Sequence, residues 1–232
     1  MGHKVHPRIH RTPYIFAWDS KWFARNESLP LYLKQEIGIR TYLCKKLKEA
    51  GVDSISIERS PKDMQITILA AKPGVVIGRS GQGLDVIRKE IEKKYLQQKQ
   101  KVKLNILPVK QPALSAAIVA GNCAAEIEKR MPFRRVMKQA IEKVMAAGAK
   151  GVKIKMAGRL NGVEIARREV LSAGKMSLIT LRSDVDYALT EAQTIYGKIG
   201  VKVWVYHGEA FGRRDKFEKK EESETVKKNY QN

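Results

Sequence analysis

Three glycines lie within six residues of the string VVIGRSGQGLDVI, residues 75–87. Gly78, Gly81 and Gly83 stand between an apolar run and a stretch with helical periodicity. Glycine clusters of this kind let backbone amides approach a phosphate, because no Cβ stands in the way. The stretch could therefore hold a nucleotide, hold a nucleic acid, or only turn the chain.

The spacing excludes the two common nucleotide-binding motifs. A dinucleotide fingerprint needs G-x-G-x-x-G after a strand, and here the longer gap comes first. A P-loop needs Lys and then Ser or Thr after its second glycine, but Leu84 and Asp85 stand there. Without that Lys, the terminal phosphates of a bound nucleotide would lack a cation. Without the Ser or Thr, a magnesium ion would lack its hydroxyl ligand. The glycines therefore do not indicate a nucleotide site.

The other reactive side chains do not form a catalytic or metal-binding set. The candidate carboxylates are Glu164, Asp184, Asp186 and Glu191, and no histidine lies near them in sequence. Three histidines cluster near the start, without cysteine or carboxylate partners. Cys44 and Cys123 are too far apart in sequence for a zinc pattern. We therefore expect no enzyme activity, no metal and no cofactor.

A second site-like feature is RMPFRRVMKQA, residues 130–140. Five basic residues and no acid lie between Glu128 and Glu142. Arg134, Arg135 and Lys138 fall in the first turns of a predicted helix, where cations oppose the helix dipole at about 0.3–1 kcal/mol each. The simpler interpretation is a basic face that only contacts solvent. The cost of placing cations at the start of a helix counts against that interpretation. The pattern favours an anionic partner.

Composition points to the same partner. The 232 residues include 45 Lys and Arg against 24 Asp and Glu, a net charge of +21. An excess of this size favours binding to nucleic acid. The start MGHKVHPRIH has no apolar signal region, and no apolar run approaches membrane-spanning length. We expect a cytoplasmic protein with no membrane partner.

The glycine stretch lies inside a first module, residues 36–110, which follows a basic arm at residues 1–35. The pattern predicts a helix containing Ile39 and Leu47, then two strands joined by SPKD at 60–63. The glycine loop, a helix and a third alternating strand over 102–106 follow. Residues 1–48 carry a net charge of +7. We therefore predict that the arm is poorly ordered alone and packs on RNA or a neighbouring protein when assembled.

A second α/β module is predicted over residues 111–209. It begins with two amphipathic helices separated by Pro132, followed by a strand at 152–156. Weaker strands are predicted at 164–170 and 176–181, a helix around 187–196, and a strong strand at 201–206. The tail, 210–232, is charged and low in apolar residues, which predicts disorder.

The string V-I-G-x-x-G-x-x-[IL]-x-x-[IL] at the glycine loop, in this order of elements, resembles the KH domain of type II, α-β-β-α-α-β. In KH domains a GXXG loop clamps a few nucleotides of single-stranded nucleic acid. The resemblance assigns RNA contact to Gly78, Arg79, Ser80 and Gly81. A plain glycine turn is the alternative.

Longer sequence strings, spread over most of the chain, resemble a particular protein family. They include MGHKVHP, KPGVVIGRSG, FRRVMKQAI, TLRSDVDYA and YGKIGVKVWVYHGE, and matching strings run from residue 1 to about 209. Together they resemble the bacterial-type third protein of the small ribosomal subunit, the uS3 family. The implied fold class is α+β: a KH type II domain followed by an α/β sandwich domain.

The resemblance implies a structural protein of the head of the small ribosomal subunit, in a bacterial cytoplasm or in an organelle of bacterial descent. It implies contacts with small-subunit (16S) ribosomal RNA, messenger RNA and the tenth and fourteenth small-subunit proteins, without homo-oligomers. Arg134, Arg135 and Lys138 would line the channel through which messenger enters and help to unwind it. Further expected contacts with ribosomal RNA are Arg159, Asn161, Lys4, Arg8 and Arg11.

Two departures from the family pattern bear on these expectations. The family's loop is often doubly basic, whereas this loop carries Arg79 and Ser80, which weakens its hold on phosphate. The tail after Gly212 mixes seven basic with five acidic residues, so it need not bind RNA. A free KH protein that regulates messenger or small RNA stays open as an alternative, although it would not need the second module or the basic arm.

Overall fold

The computed structural model of this chain describes residues 5–12, 14–60, 63–78, 81–96 and 100–212. Within these ranges the chain forms two four-stranded sheets, each with its own hydrophobic core. None of the described helices is long and apolar enough to cross a bilayer. Lys4 and residues 213–232 of the predicted tail lie outside the described residues.

The first module has the predicted order of elements. Its helices are α2 (Leu29–Lys46), α3 (Pro73–Ile77) and α4 (Gln82–Lys94), and its strands are β2 (Val52–Arg59), β3 (Asp63–Ala70) and β4 (Lys101–Pro108). Strand β3 runs antiparallel to β2 and parallel to β4. Alternate residues of the strands, such as Ile57, Ile66 and Val102, are buried under the helices. The α+β fold class is confirmed.

Helix α2 begins at Leu29, inside the segment that the sequence assigns to the arm. Pro30 lies in its first turn, where the missing N–H removes no hydrogen bond. The start is hard to see in sequence because Leu29, Leu31 and Leu33 recur at every second position, which is not the spacing of a helical stripe. All three are exposed in the structure.

The arm contacts both modules of its own chain, which the sequence did not predict. Its elements are α1 (Pro7–His10) and β1 (Ser20–Lys21), and β1 pairs in parallel with β2. His6, the N-cap of α1, packs edge-on against Tyr187 of the second module at 4.6 Å between ring centroids. The arm therefore docks on the chain itself rather than only on an external partner.

The second module is a two-layer α/β domain. Its elements are α5 (Ala116–Glu128), α6 (Phe133–Ala146), β5 (Gly151–Gly158), β6 (Arg167–Gly174), β7 (Ser183–Thr194) and β8 (Gly197–Glu209). The sheet order is β6-β5-β8-β7, and all its pairs are antiparallel. Both helices pack on one face of the sheet over Ile154, Met156 and Val203.

The predicted helix around 187–196 is wrong, because Ser183–Thr194 form strand β7. The inward residues of β7 include Ala188 and Ala192, which are small enough to let α5 approach and give little apolar alternation. Pairing with β8 along the whole strand overrides their helix propensity. The strand predicted at 176–181 is also absent from this described stretch, and β6 begins only at Arg167.

Polar side chains join the two modules at the start of α5. Ser115 caps α5 by accepting a hydrogen bond from the amide of Ile118 at 3.3 Å, and it donates to Asp53 of β2. Asp186 of β7 accepts from the amide of Ala116 at 2.9 Å. These bonds satisfy the free amides of the first turn and tie α5 to both sheets.

Replacing Ser115 with alanine is expected to lower the free energy of unfolding by about 0.5–2 kcal/mol, because an N-cap is lost. Ser56→Ala is the matched control. That hydroxyl is also buried but finds no hydrogen-bond partner among the described residues, so its removal should be neutral or stabilising. Urea denaturation followed by circular dichroism measures both, and equal effects would contradict the capping role.

Candidate nucleic-acid interface

Helices α3 and α4 meet tightly at the glycine loop. Gly78 closes α3 with its amide 3.0 Å from the carbonyl oxygen of Gly74, at a φ of +68°. Gly83, in the first turn of α4, lies so close to α3 that a Cβ there would be 2.7 Å from the carbonyl oxygen of Val76. Larger residues at either position would push the two helices apart.

Gly81 has a different reason to be glycine. It is the N-cap of α4 at a φ of +81°, and a Cβ there would meet no atom within 4 Å. The space beside it is open, and α4 has no side-chain cap, so the helix start can receive a ligand's acceptor oxygen. Three apolar side chains around the loop, Val75, Ile77 and Val86, are exposed. Arg79 and Ser80 lie outside the described residues.

The start of α6 presents its predicted cations to solvent. Arg134, Arg135 and Lys138 are exposed, while Phe133, Val136 and Met137 on the opposite side are buried against the sheet. The first turn contains no acid, and Pro132 at the N-cap position provides no side-chain acceptor. Positive charge therefore gathers at a helix end that itself carries a partial positive charge.

Arg130 and Arg167 extend this basic surface. Arg130 lies in the basic stretch 130–140 but was not assigned to the site, and Arg167 was missed. Arg167, at the start of β6, lies 5.8 Å from the centroid of the Phe133 ring, the same distance as Arg134. Arg130 precedes α6 in a left-handed conformation with a φ of +64° and is exposed. The doublet Arg167–Arg168 was visible in the sequence, but nothing in the sequence places Arg167 beside Phe133. We call Arg130, Arg134, Arg135, Lys138 and Arg167 the α6 patch.

Only one carboxylate is close to the α6 patch among the described ion pairs. Glu169 lies 3.5 Å from Arg134, and the Arg134 side chain is 71% exposed. An exposed pair at this distance contributes little binding energy and is readily exchanged for a phosphate. The patch therefore keeps most of its charge available to an anion.

The structure brings Arg159 and Asn161 to the edge of the α6 patch. Both line a pocket of about 420 Å³ together with Arg130, Phe133 and Tyr196. The Arg159 guanidinium lies over the Tyr196 ring at 5.4 Å, and its Nε donates to the carbonyl oxygen of Val163 at 2.9 Å. Asn161 is exposed in a left-handed turn with a φ of +58°. Asn161 is thus freer to meet RNA than Arg159.

The structure argues against Arg11 as an RNA contact. Its side chain is fully buried, and the guanidinium donates to the carbonyl oxygens of Pro7, Leu178 and Thr180 at 2.8–3.0 Å. Burial lowers the pKa of this guanidinium, while Asp184 opposes the shift. Arg11 instead holds the arm on the second module. Arg8 is partly exposed and forms an ion pair with Asp19 at 2.7 Å.

The groups that could have formed a catalytic site are dispersed or engaged. Asp186 caps α5, and Glu191 pairs with Lys198 at 2.8 Å. Burial raises the pKa of the Cys123 thiol to about 12, which makes it inert as a nucleophile. No group of three potential metal ligands occurs among the residues that the structure describes.

Comparison with known families matches each module separately. Residues 38–114 match the KH domain family. Residues 123–205 match the family described as ribosomal protein S3, C-terminal domain. The first match contains the glycine loop, and the second contains the α6 patch and the pocket beside it.

Curated relatives match nearly the whole chain. A small ribosomal subunit protein uS3 of Desulforudis audaxviator is 49% identical over 214 residues, which cover 92% of this chain and 97% of the relative. A protein of the same name from Caldanaerobacter subterraneus is 51% identical over 209 residues, 90% of this chain and 93% of the relative. One from Caldicellulosiruptor saccharolyticus is 45% identical over 92% of this chain and 96% of the relative.

Proposed function

This chain belongs to the uS3 family of small ribosomal subunit proteins, and from that premise we propose that its α6 patch faces incoming messenger RNA. The family makes it a structural, non-enzymatic constituent of the small subunit of a cytoplasmic, bacterial-type ribosome. In that setting it binds ribosomal RNA and lies against other ribosomal proteins. What we propose beyond the family is that messenger RNA runs past the α6 patch.

The observation that carries the proposal is the charge at the start of α6. Arg134, Arg135 and Lys138 are exposed, and the first turn has no acid to balance them or the helix dipole. A surface that served only solubility would gain from a carboxylate there. Such a concentration of charge suits the sugar-phosphate backbone of a strand that slides past, since phosphate contacts do not depend on sequence.

The patch assists the passage and unwinding of messenger at the mouth of its channel. Cations spaced along the helix hold the two phosphate backbones of a hairpin apart while translocation pulls one strand inward. The energy comes from translocation, so the chain needs no nucleotide site. The glycine loop contacts single-stranded RNA, and Asn161, Arg159 and Arg8 contact ribosomal RNA, with Lys4 as a further candidate. The tenth and fourteenth small-subunit proteins are the proposed neighbours.

Sedimentation of a tagged copy of the full chain tests whether it works in the ribosome or as a free KH regulator. We expect it to stay with the small subunit after ribonuclease has trimmed polysomes to single ribosomes. Release to the top of the gradient together with the digested messenger would favour the free regulator. The tagged chain must be the only copy in the cell, so that an unincorporated surplus does not imitate release.

A further inference from the structure

The outer face of the second sheet, opposite α5 and α6, carries a set of charges that the proposed function does not use. Inward residues of β5 and β8, such as Ile154 and Val203, are fully buried under the helices. The alternate residues therefore point to the other side. We call this side, with its three cross-strand rows described below, the outer face.

Strand register fixes which side chains are neighbours on the outer face. The middle row is Val170, Lys155, Lys202 and Leu189, in order across β6, β5, β8 and β7. The row on one side is Arg168, Ala157, Gly200 and Glu191, and the row on the other is Ser172, Lys153, Trp204 and Tyr187. The face thus carries its cations near the centre of the sheet.

Lys155 and Lys202 are directly opposite each other on adjacent strands. Like charges in this arrangement destabilise a sheet, because the two Cβ atoms are only about 4.5–5.5 Å apart. Among the described residues neither lysine has a carboxylate within ion-pair distance. The one acid in the three rows, Glu191, pairs with Lys198 at 2.8 Å. The lysine pair thus lowers stability in the free chain and calls for an anion.

The shape of the outer face suits an extended occupant. Ala157 and Gly200 form a floor almost without side chains beside the two lysines. Val170 and Leu189, at the two ends of the middle row, are 44% and 54% exposed. The third row is partly covered, since His6 packs on Tyr187 and Lys153 lies 5.9 Å from the Trp204 ring. Lys155, Lys202 and Val170 themselves line a groove of about 890 Å³ whose opposite wall is the arm, including His10.

From these observations we infer that the outer face is a second RNA-binding surface, on which Lys155 and Lys202 contact the phosphates of a ribosomal RNA strand. Lysine has only donors, so the pair needs acceptor atoms with negative charge, which a phosphate backbone supplies at every nucleotide. The chain's own tail complements the pair poorly, because seven basic residues outnumber its five acidic ones. The inference rests on the proposed function, since it requires ribosomal RNA to be the partner.

The two RNA surfaces then lie on opposite sides of one domain. The α6 patch lies on the helical side of the domain, with Arg167 of β6 at its edge, and the outer face is the other side of the sheet. A domain built in this way is held to ribosomal RNA by its sheet and presents its helices to a moving messenger. The division explains why cations occur on both sides of a domain that has a single core.

The first test measures how salt weakens binding of the full chain to a transcript of the small-subunit ribosomal RNA head domain. Loss of two phosphate contacts in Lys155→Gln/Lys202→Gln should reduce the salt dependence. Raising salt from 50 to 200 mM should weaken the variant about seven- to twelvefold less than it weakens the wild type. The control Lys34→Gln/Lys45→Gln removes two exposed charges from α2 and should retain the wild-type dependence.

The outcomes separate the two proposals. If the wild-type chain does not bind the transcript, the ribosomal RNA contacts in the proposed function fail, and the outer-face inference fails with them. If it binds and the two double variants respond alike to salt, only the outer-face inference is overturned. Melting curves monitor the fold, and the Lys155/Lys202 variant should melt at the same or a higher temperature because a repulsive pair is gone.

The second test identifies what covers the face in intact small subunits. Lys155 and Lys202 should resist an amine-acylating reagent in the particle and become reactive after ribonuclease digestion. Protection that survives complete digestion and exceeds that in the free chain would identify a protein as the cover and overturn the inference. Full reactivity in the undigested particle would overturn it as well, because the face would then be open.

Discussion

Ribosomes that carry Arg134→Ala, Arg135→Ala and Lys138→Ala are expected to slow at a stable messenger hairpin and to move almost normally on unstructured messenger. All three side chains are exposed, so the change should cost no more than about 0.5 kcal/mol of fold stability per site. It also removes charge that opposes the dipole of α6.

The size of the slowing follows from the contacts that are lost. An exposed ion pair contributes about 0.2–1 kcal/mol, so three phosphate contacts together favour the opened hairpin by about 0.6 kcal/mol or more. We therefore expect slowing of about threefold or more at the hairpin. The readout is the rate of elongation in a reconstituted system on two messengers that differ only in the hairpin.

A matched control separates position from charge. Lys34→Ala, Lys45→Ala and Lys143→Ala also remove three positive charges, but from exposed positions outside the patch. This control should leave the elongation rates on both messengers unchanged. Both sets of particles must contain the variant chain at full occupancy, so that an assembly defect does not imitate the effect. Equal slowing on both messengers would assign the patch to assembly or general RNA affinity.

The second large effect is expected at the glycine loop. Changing Gly78 or Gly81 would disturb the turn itself, because both have positive φ and a Cβ at Gly78 would lie 3.2 Å from the amide nitrogen of Gly83. Arg79→Asp/Ser80→Asp changes only the charge between the glycines. It replaces one cation with two anions at the start of α4, where a phosphate would bind.

Binding of a single-stranded oligoribonucleotide of about six nucleotides should weaken about tenfold or more, since a hydrogen bond to a charged group contributes about 1.5–3 kcal/mol. The parent protein for this experiment is the full chain with Arg134→Ala, Arg135→Ala and Lys138→Ala. Without these changes, RNA bound at the α6 patch would conceal a loss of binding at the loop. Fluorescence anisotropy at constant salt measures the dissociation constant.

Asn26→Asp/Lys34→Asp is the control for the loop, because it changes the net charge by the same three units at exposed sites. It should bind almost as tightly as its parent. If the loop variant is folded and binds no more weakly than this control, the groove beside the loop does not take RNA, and the KH fold then serves only as a structural unit.

The elements of the first module could be predicted because their signals are local. Apolar and polar residues alternate along strands β2 and β3, and the glycines mark a tight approach between α3 and α4. The start of α2 was missed because its leucines, such as Leu31 and Leu33, are two positions apart and exposed, so they form no apolar stripe of helical period. Local pattern identifies a helix only where one of its faces is buried.

Strand β7 and Arg11 show what a single sequence does not reveal. Ala188 and Ala192 favour a helix in isolation, and only the pairing with β8 makes them part of a sheet. Arg11 looks like any other cation of a basic arm, but carbonyl groups more than 160 residues away surround it. The pairing of Lys155 with Lys202 was equally hidden, because register joins residues 47 positions apart.

The place of the α6 patch can be seen in a density map of the native small subunit with messenger in its channel. We expect this chain in the head of the subunit, with Arg134, Arg135 and Lys138 facing the messenger where it enters and the outer face of the second sheet against ribosomal RNA. A map in which the start of α6 is buried against protein, or points away from the messenger, would show that the patch does not serve the messenger.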